Sequence, residues 1–198
     1  MSEKLSAIIL TGGSSRRFGS DKSLAMLEGK TLLTHLLTDL AVNIEVVIVG
    51  PIFESQLRSL KFVRENPAGG GPVAAVDAGL AMINTEFVAL IATDMPFAAA
   101  VIHELANSLE TSRDGLVPLD AEGFPQTLCA IYRTDALKQA IERLGNPQGC
   151  SMRSLTALLH LKEIELTPAL QSRLLDIDTR EELQQASTAK EAEIAHDN

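Results

Sequence analysis

Leu5-Ser6-Ala7-Ile8-Ile9-Leu10 runs straight into Thr11-Gly12-Gly13-Ser14-Ser15-Arg16-Arg17-Phe18-Gly19-Ser20-Asp21-Lys22, and this stretch decides how the chain folds. Its first part is an apolar run of the kind that forms a buried strand. Beyond it, Leu32, Leu33, Leu36, Leu37 and Leu40 recur at helical spacing and mark one apolar face. A glycine-rich, cationic loop therefore leaves the carboxyl end of a strand and leads toward a helix. Glycine lets the backbone come close to a ligand and turn N–H groups toward it. Arg16, Arg17 and Lys22 add fixed positive charge. Together these are the requirements for holding a polyphosphate. The loop is not a P-loop, which needs Lys directly after its last Gly, because Ser20 and Asp21 separate Gly19 from Lys22. Nor is it the G-x-G-x-x-G dinucleotide fingerprint, since Gly12 and Gly13 are adjacent.

The loop stands out against its own chain. The formal net charge is −9, so the cationic cluster is local. An acidic chain with one Tyr and no Trp offers neither the electrostatic footprint nor the stacking surface for nucleic acid. At 198 residues, 45% of them hydrophobic, one domain with a substantial core is expected. No apolar run approaches the roughly 20 residues of a membrane span, so no membrane association is expected. No basic and apolar leader opens the chain. Cys129 and Cys150 have no metal or disulfide spacing, and the four histidines are scattered. A reducing, cytoplasmic location follows.

Further elements alternate along the chain. Glu45 to Val49 reads as a strand closed by Gly50-Pro51, Phe53 to Leu60 as a short helix, and Phe62-Val63 as a short strand. Ala68-Gly69-Gly70-Gly71-Pro72 is a second glycine-rich loop. Pro72 suits the first turn of the helix marked by Val73, Val76, Leu80 and Ile83. Phe87 to Ile91, nearly all apolar, reads as a central parallel strand ending at Asp94. Next come a helix at Val101 to Leu109, strands at Gly115 to Leu119 and Thr127 to Tyr132, and a helix from Thr134 to Leu144. A helix capped by Ser151, a strand at Leu161 to Leu166, an extended Leu174 to Asp178 and a last helix capped by Thr179 complete the pattern. Residues 187–198 are small and polar and are expected to fray.

Strands alternating with helices predict an α/β fold: a single-domain open, mostly parallel twisted sheet with helices on both faces. Ligands of such sheets sit at the carboxyl ends of the strands. The first loop, the second loop and Asp94 all fall there, which favours one shared site. Asp94, taken alone, reads equally as a Mg²⁺ ligand or as the N-cap of the next helix. Lys22 and Arg17 read as phosphate contacts or as solvent-exposed loop cations.

The loop from Leu10 to Lys22 resembles the signature L-A-G-G-x-S-x-R-M-G-x-D-K of the nucleotidyltransferases that act on the molybdenum cofactor, with Thr11 for Ala and Phe18 for Met. Asp94-Met95-Pro96-Phe97 is similar to that family's D-M-P-F, in which the Asp is the magnesium ligand. Gly69 to Ala75 resembles its base-approaching G-P-L-A-G loop, and Asn66 stands where the family often has Asp. Gln126 to Tyr132 is similar to Q-P-L-C-A-V-Y, and Ser151 to Leu155 to S-M-R-x-L, with Arg153 either a phosphate contact or a surface arginine. Asp176-Ile177-Asp178-Thr179 matches N-x-N-T with both Asn replaced by Asp. Asp178 is then a second magnesium ligand, or the pair caps a helix.

The resemblance implies a Rossmann-like nucleotidyltransferase domain over residues 1–186, its N-terminal half binding nucleotide and its C-terminal half the acceptor. It implies transfer of GMP from GTP to the phosphate of molybdopterin or Mo-molybdopterin, with release of pyrophosphate. Arg17, Lys22 and Asp94 would carry catalysis, and Leu10, Thr11, Gly12, Gly13, Lys22, Asn66, Gly71 and Asp94 would bind the nucleotide. Asp94 and Asp178 would hold Mg²⁺ as cofactor. Molybdenum cofactor proteins and recipient apoenzymes would be further partners. Gly13 favours the guanylyl branch, since the cytidylyl branch usually has L-A-A-G. A cytidylyltransferase, a transferase acting on a sugar or alditol phosphate, and a non-catalytic nucleotide-binding accessory protein are the alternatives.

Overall fold

A computed structural model describes residues 4–11, 25–52, 57, 59–110, 112–177 and 182. The helix expected at Phe53 to Leu60 and the last helix from Thr179 lie outside the described residues or nearly so. Nine strands are described: β1 (Leu5–Leu10), β2 (Met26–Leu27), β3 (Lys30–Thr31), β4 (Glu45–Val49), β5 (Lys61–Val63), β6 (Phe87–Ala92), β7 (Gly115–Leu119), β8 (Cys129–Arg133) and β9 (Leu161–Glu165). The α-helices are α1 (Leu32–Asp39), α2 (Pro72–Leu80), α3 (Ala98–Asn107), α4 (Thr134–Leu144), α5 (Met152–Thr156) and α6 (Pro168–Gln171).

Seven strands form one sheet in the order β5-β4-β1-β6-β8-β7-β9, while β2 and β3 make a separate small hairpin. β1 lies between β4 and β6 and is parallel to both. β8 alone runs against its neighbours, pairing antiparallel with β6 and β7, and β9 returns parallel to β7. β6 and β7 therefore point the same way, and every strand of the sheet except β8 presents its carboxyl end to one rim.

The core explains why β1 and β6 read as unbroken apolar runs. Successive strand side chains point to opposite faces. Leu5, Ala7 and Ile9 join Ala89, Ile91 and the apolar sides of α1 and α3 in one buried cluster. Ile8 and Leu10 join Val88, Leu90 and the inner sides of α2, α4 and α5 in another. Helices thus cover both faces, as expected. A third cluster of Leu27, Leu32, Phe97 and Ile177 ties the β2–β3 hairpin and the C-terminal segment to the base of α3.

Several boundaries differ from the sequence expectation, two of them next to the rim. Thr127 and Leu128 form a turn, and the strand begins at Cys129. The helix after Asp94 begins at Ala98, three residues ahead of Val101, and its first two residues, Ala98 and Ala99, are fully buried in the core. A cavity of about 600 Å³ opens at the opposite end of the sheet, lined by Leu5, Ile44, Phe87, Ala106 and Leu109 beside the Lys4–Glu86 ion pair. It lies at the amino ends of β1 and β6, away from the rim where an open α/β sheet binds its ligands.

Candidate functional site at the carboxyl rim of the sheet

The strand exits at the rim are fastened by threonines. The Thr93 amide and hydroxyl both donate to the Leu10 carbonyl, at 3.2 and 2.6 Å. The Thr11 amide and hydroxyl both donate to the Val49 carbonyl, each at 3.1 Å. The ends of β6, β1 and β4 are thereby locked side by side. Gly50 is part of the lock: a Cβ there would stand 1.9 Å from Thr11 Oγ1, so only glycine admits the threonine. The loop that starts at Thr11 and the acidic residue that follows Thr93 are consequently launched from fixed points.

Leu10 is buried at the end of β1, and Thr11 is half-buried beside it. Asp94 is half-buried immediately past β6, between Thr93 and Met95. Its carbonyl accepts a hydrogen bond from the Ile177 amide at 2.9 Å. That bond brings the segment containing Asp176 and Ile177 onto the same rim and ends one residue before Asp178. Asn66 is exposed in the turn that follows β5. Gly71 is the N-cap of α2 at φ +88, with Pro72 in the first turn and no side-chain cap bond. The start of α2, the positive end of its dipole, therefore faces the rim.

The second glycine loop is braced by the turn between α4 and α5. The Gly149 amide donates to the Gly70 carbonyl at 2.8 Å, and the Gln148 side chain covers the position a Gly70 Cβ would take. On the other side of Asp94, the Ala92 amide donates to the Leu128 carbonyl at 2.9 Å, which sets Gln126 to Leu128 beside the end of β6. Leu10, Thr11, Gly71 and Asp94, drawn from separate parts of the sequence, thus share one rim. Gly12, Gly13, Arg17, Lys22 and Asp178 lie outside the described residues. Sequence reasoning passed over Thr93, Gly50 and the Ile177 bond. The first had a signal, a threonine between a buried strand and an acid; the other two are long-range.

Among the described residues no group of three or more His, Cys, Asp or Glu could hold a metal alone. The oxygen donors at the rim fit a different arrangement. Mg²⁺ is ordinarily held by one or two carboxylates, with substrate phosphates and water completing the shell. Asp94 offers one strand-end carboxylate of that kind, and Asp176 precedes the Ile177 amide bonded to the Asp94 carbonyl. No helix among the described residues is long and apolar enough to cross a membrane.

Residues 7–164 match the MobA-like NTP transferase domain. A Bacillus cereus (strain G9842) protein named "Probable molybdenum cofactor guanylyltransferase" is 29% identical over 192 residues, covering 90% of this chain and 94% of that one. The solved molybdopterin-guanine dinucleotide biosynthesis protein A of Archaeoglobus fulgidus superposes with a TM-score of 0.73 at 20% identity, over 94% of this chain and 99% of that one. The 2-C-methyl-D-erythritol 4-phosphate cytidylyltransferase of Thermus thermophilus superposes at 0.70 with 15% identity, over 93% and 98% of the two chains. At such identities the two superpositions establish the fold alone.

Proposed function

The chain belongs to the MobA-like NTP transferase domain family, and from that premise we propose that it transfers GMP from GTP to the terminal phosphate of molybdopterin or its molybdenum-loaded form. The observation that carries the reading is the convergence of Leu10, Gly71 and Asp94 on one rim, locked by the Thr93–Leu10 and Thr11–Val49 bonds. The name of the Bacillus relative supports the choice of nucleotide and acceptor.

In this reading the acceptor phosphate is already anionic and attacks the α-phosphorus in line. A new P–O bond forms, the bond to the bridging oxygen breaks, and pyrophosphate leaves with its electron pair. No covalent intermediate on a side chain is needed. The protein holds the two phosphates in line and offsets their charge. Gly12, Gly13 and the backbone after Thr11 cradle the triphosphate, and Lys22 and Arg17 neutralise it. Gly71 lets the second loop approach the base, beside Asn66. Asp94 and Asp178 would hold Mg²⁺, which when bound withdraws charge from the phosphate oxygens.

The test is thermal unfolding with Mg²⁺ and GTP, CTP, ATP or UTP in turn. A ligand at 100 times its dissociation constant stabilises a fold by about 2.7 kcal/mol. A shift with GTP alone is expected. A larger shift with CTP or UTP would move the assignment to a cytidylyl- or uridylyltransferase acting on another small phosphate. Nucleotide binding without pyrophosphate release in the presence of acceptor would instead favour an accessory protein.

A further inference from the structure

We propose that Phe124, on a turn ordered by Asp120, is a stacking platform for a planar ring in the acceptor. The inference deepens the functional reading above and rests on it.

Asp120 is the centre of the loop joining β7 to β8. Its Oδ1 accepts from the amides of Glu122 and Phe124, both at 2.9 Å. Its own amide donates to the Phe124 carbonyl, and its carbonyl accepts from the Gly123 amide, both at 3.0 Å. Its Oδ2 accepts from Gln126 Nε2 at 2.7 Å. Leu119 bridges Pro125 across the base of the loop. One carboxylate thereby organises the whole turn. The amides donating to it, that of Phe124 foremost, hold its carboxyl below the usual range, so it stays charged as an acceptor for them.

On this ordered loop stands a phenylalanine that is 61% exposed. Among the large hydrophobic residues described as exposed it is the sole aromatic. It belongs to none of the three buried clusters. The turn that carries this ring is fixed by these bonds, so the exposed ring is held in a defined place at the rim.

Its placement names what it meets. The loop springs from the sheet at β7 and β8, and the Leu128 carbonyl is bonded to the Ala92 amide two residues before Asp94. The nucleotide-side features, Thr11, Gly50 and Gly71, lie on β1, β4 and the start of α2, across β6 from the loop. An acceptor reaching Asp94 from the β8 side passes the Phe124 loop. Gln126, its Nε2 taken by Asp120, keeps Oε1 to accept from a ring N–H or amino group. A flat heteroaromatic acceptor such as a pterin uses both features, through offset stacking and one in-plane hydrogen bond. A sugar or alditol phosphate can donate a hydroxyl to Gln126 but has no flat ring to stack, so Phe124 favours a heteroaromatic acceptor.

The experiment uses the full-length protein, Phe124→Ala and Phe124→Tyr. The fluorescence of 6-hydroxymethylpterin is titrated with each in the presence of Mg²⁺, and GTP affinity and unfolding midpoint are measured alongside. Saturable quenching by the wild type is expected. Affinity for the pterin should fall about tenfold in Phe124→Ala and return in Phe124→Tyr. GTP affinity and midpoint should be the same in all three. Equal pterin affinity in wild type and Phe124→Ala, or no saturable quenching by the wild type, overturns the platform while GTP binding leaves the functional reading standing. A parallel loss of GTP and pterin affinity in Phe124→Ala also overturns it, by exposing a structural role. Failure of the wild type to bind GTP overturns the functional reading, and the platform with it.

Discussion

Cys129 opens β8 with no exposed surface, and burial pushes its thiol up to about 12. Tyr132, three residues on, is equally enclosed, and burial pushes its phenol up as well. The sign of the consequence follows from proton counting. Below about pH 9, where a thiol in the unfolded chain is still protonated, both states hold the same protons and the contribution to stability is complete. As the pH rises from about 9 toward 12, the unfolded chain releases protons that the folded chain keeps, so stability falls. Urea midpoints measured from about pH 7 to 11 should therefore decline above about pH 9, and less steeply in Cys129→Ala. Parallel profiles for the two proteins would show that Cys129 does not drive the loss. At this scale much of the site was legible. Leu10, Thr11, Gly71 and Asp94 could be placed on the rim because each follows an apolar run or opens a helix. Phe124 could not, because an aromatic between Gly123 and Pro125 carries no sign of exposure until Asp120 is seen to order the turn.

Elements became readable in proportion to how fully they are buried. β1, β4 and β6 are enclosed on both faces and read as continuous apolar runs. The β2–β3 hairpin has two residues in each strand, too few for any periodicity, and its only mark is the left-handed pair Glu28 (φ 50) and Gly29 (φ 75). The reversal of β8 was hidden for another reason. Apolar patterning reports which face a side chain takes, and it is silent on strand direction. A clue existed in length, since the connection from Leu119 to Cys129 is shorter than a parallel crossover needs. The contact between α2 and the sheet also carries a prediction. Gly79, in the last turn of α2, packs against the sheet, where a Cβ would come 2.8 and 2.9 Å from Ile8 carbons and 3.1 Å from Val49. Those neighbours belong to the central strands and have nowhere to move. Gly79→Val should cost about 2 kcal/mol through overpacking, read as a lower urea midpoint. An unchanged midpoint would mean that α2 can slide away from β1 without penalty.

Across the whole molecule, the C-terminal segment is tied back to the rim through Ile177. Its side chain is fully buried with Leu27, Leu32 and Phe97, and its amide is bonded to the Asp94 carbonyl. Arg173, whose guanidinium lies 5.9 Å from the Phe97 ring centroid, holds the same segment from above. No local pattern could announce this, because Ile177 and Asp94 are far apart in sequence and the contact exists only once the sheet has formed. The consequence is that the C-terminal segment is fastened to the strand end that the proposed chemistry uses. Truncating the anchor separates the two roles of that fastening. Ile177→Ala removes a buried side chain and should cost about 2–5 kcal/mol, a loss that urea unfolding measures. If the segment supplies Asp178 to the metal and acceptor, pyrophosphate release should also fall, at temperatures where the variant is still fully folded. GTP affinity, which in the proposed reading rests on the end of β1, the glycine loops and Asp94, should weaken far less. A variant that loses stability yet turns over at the wild-type rate would show that the segment only closes the core. The acidic pair at 176 and 178 would then serve as helix caps and take no part in catalysis.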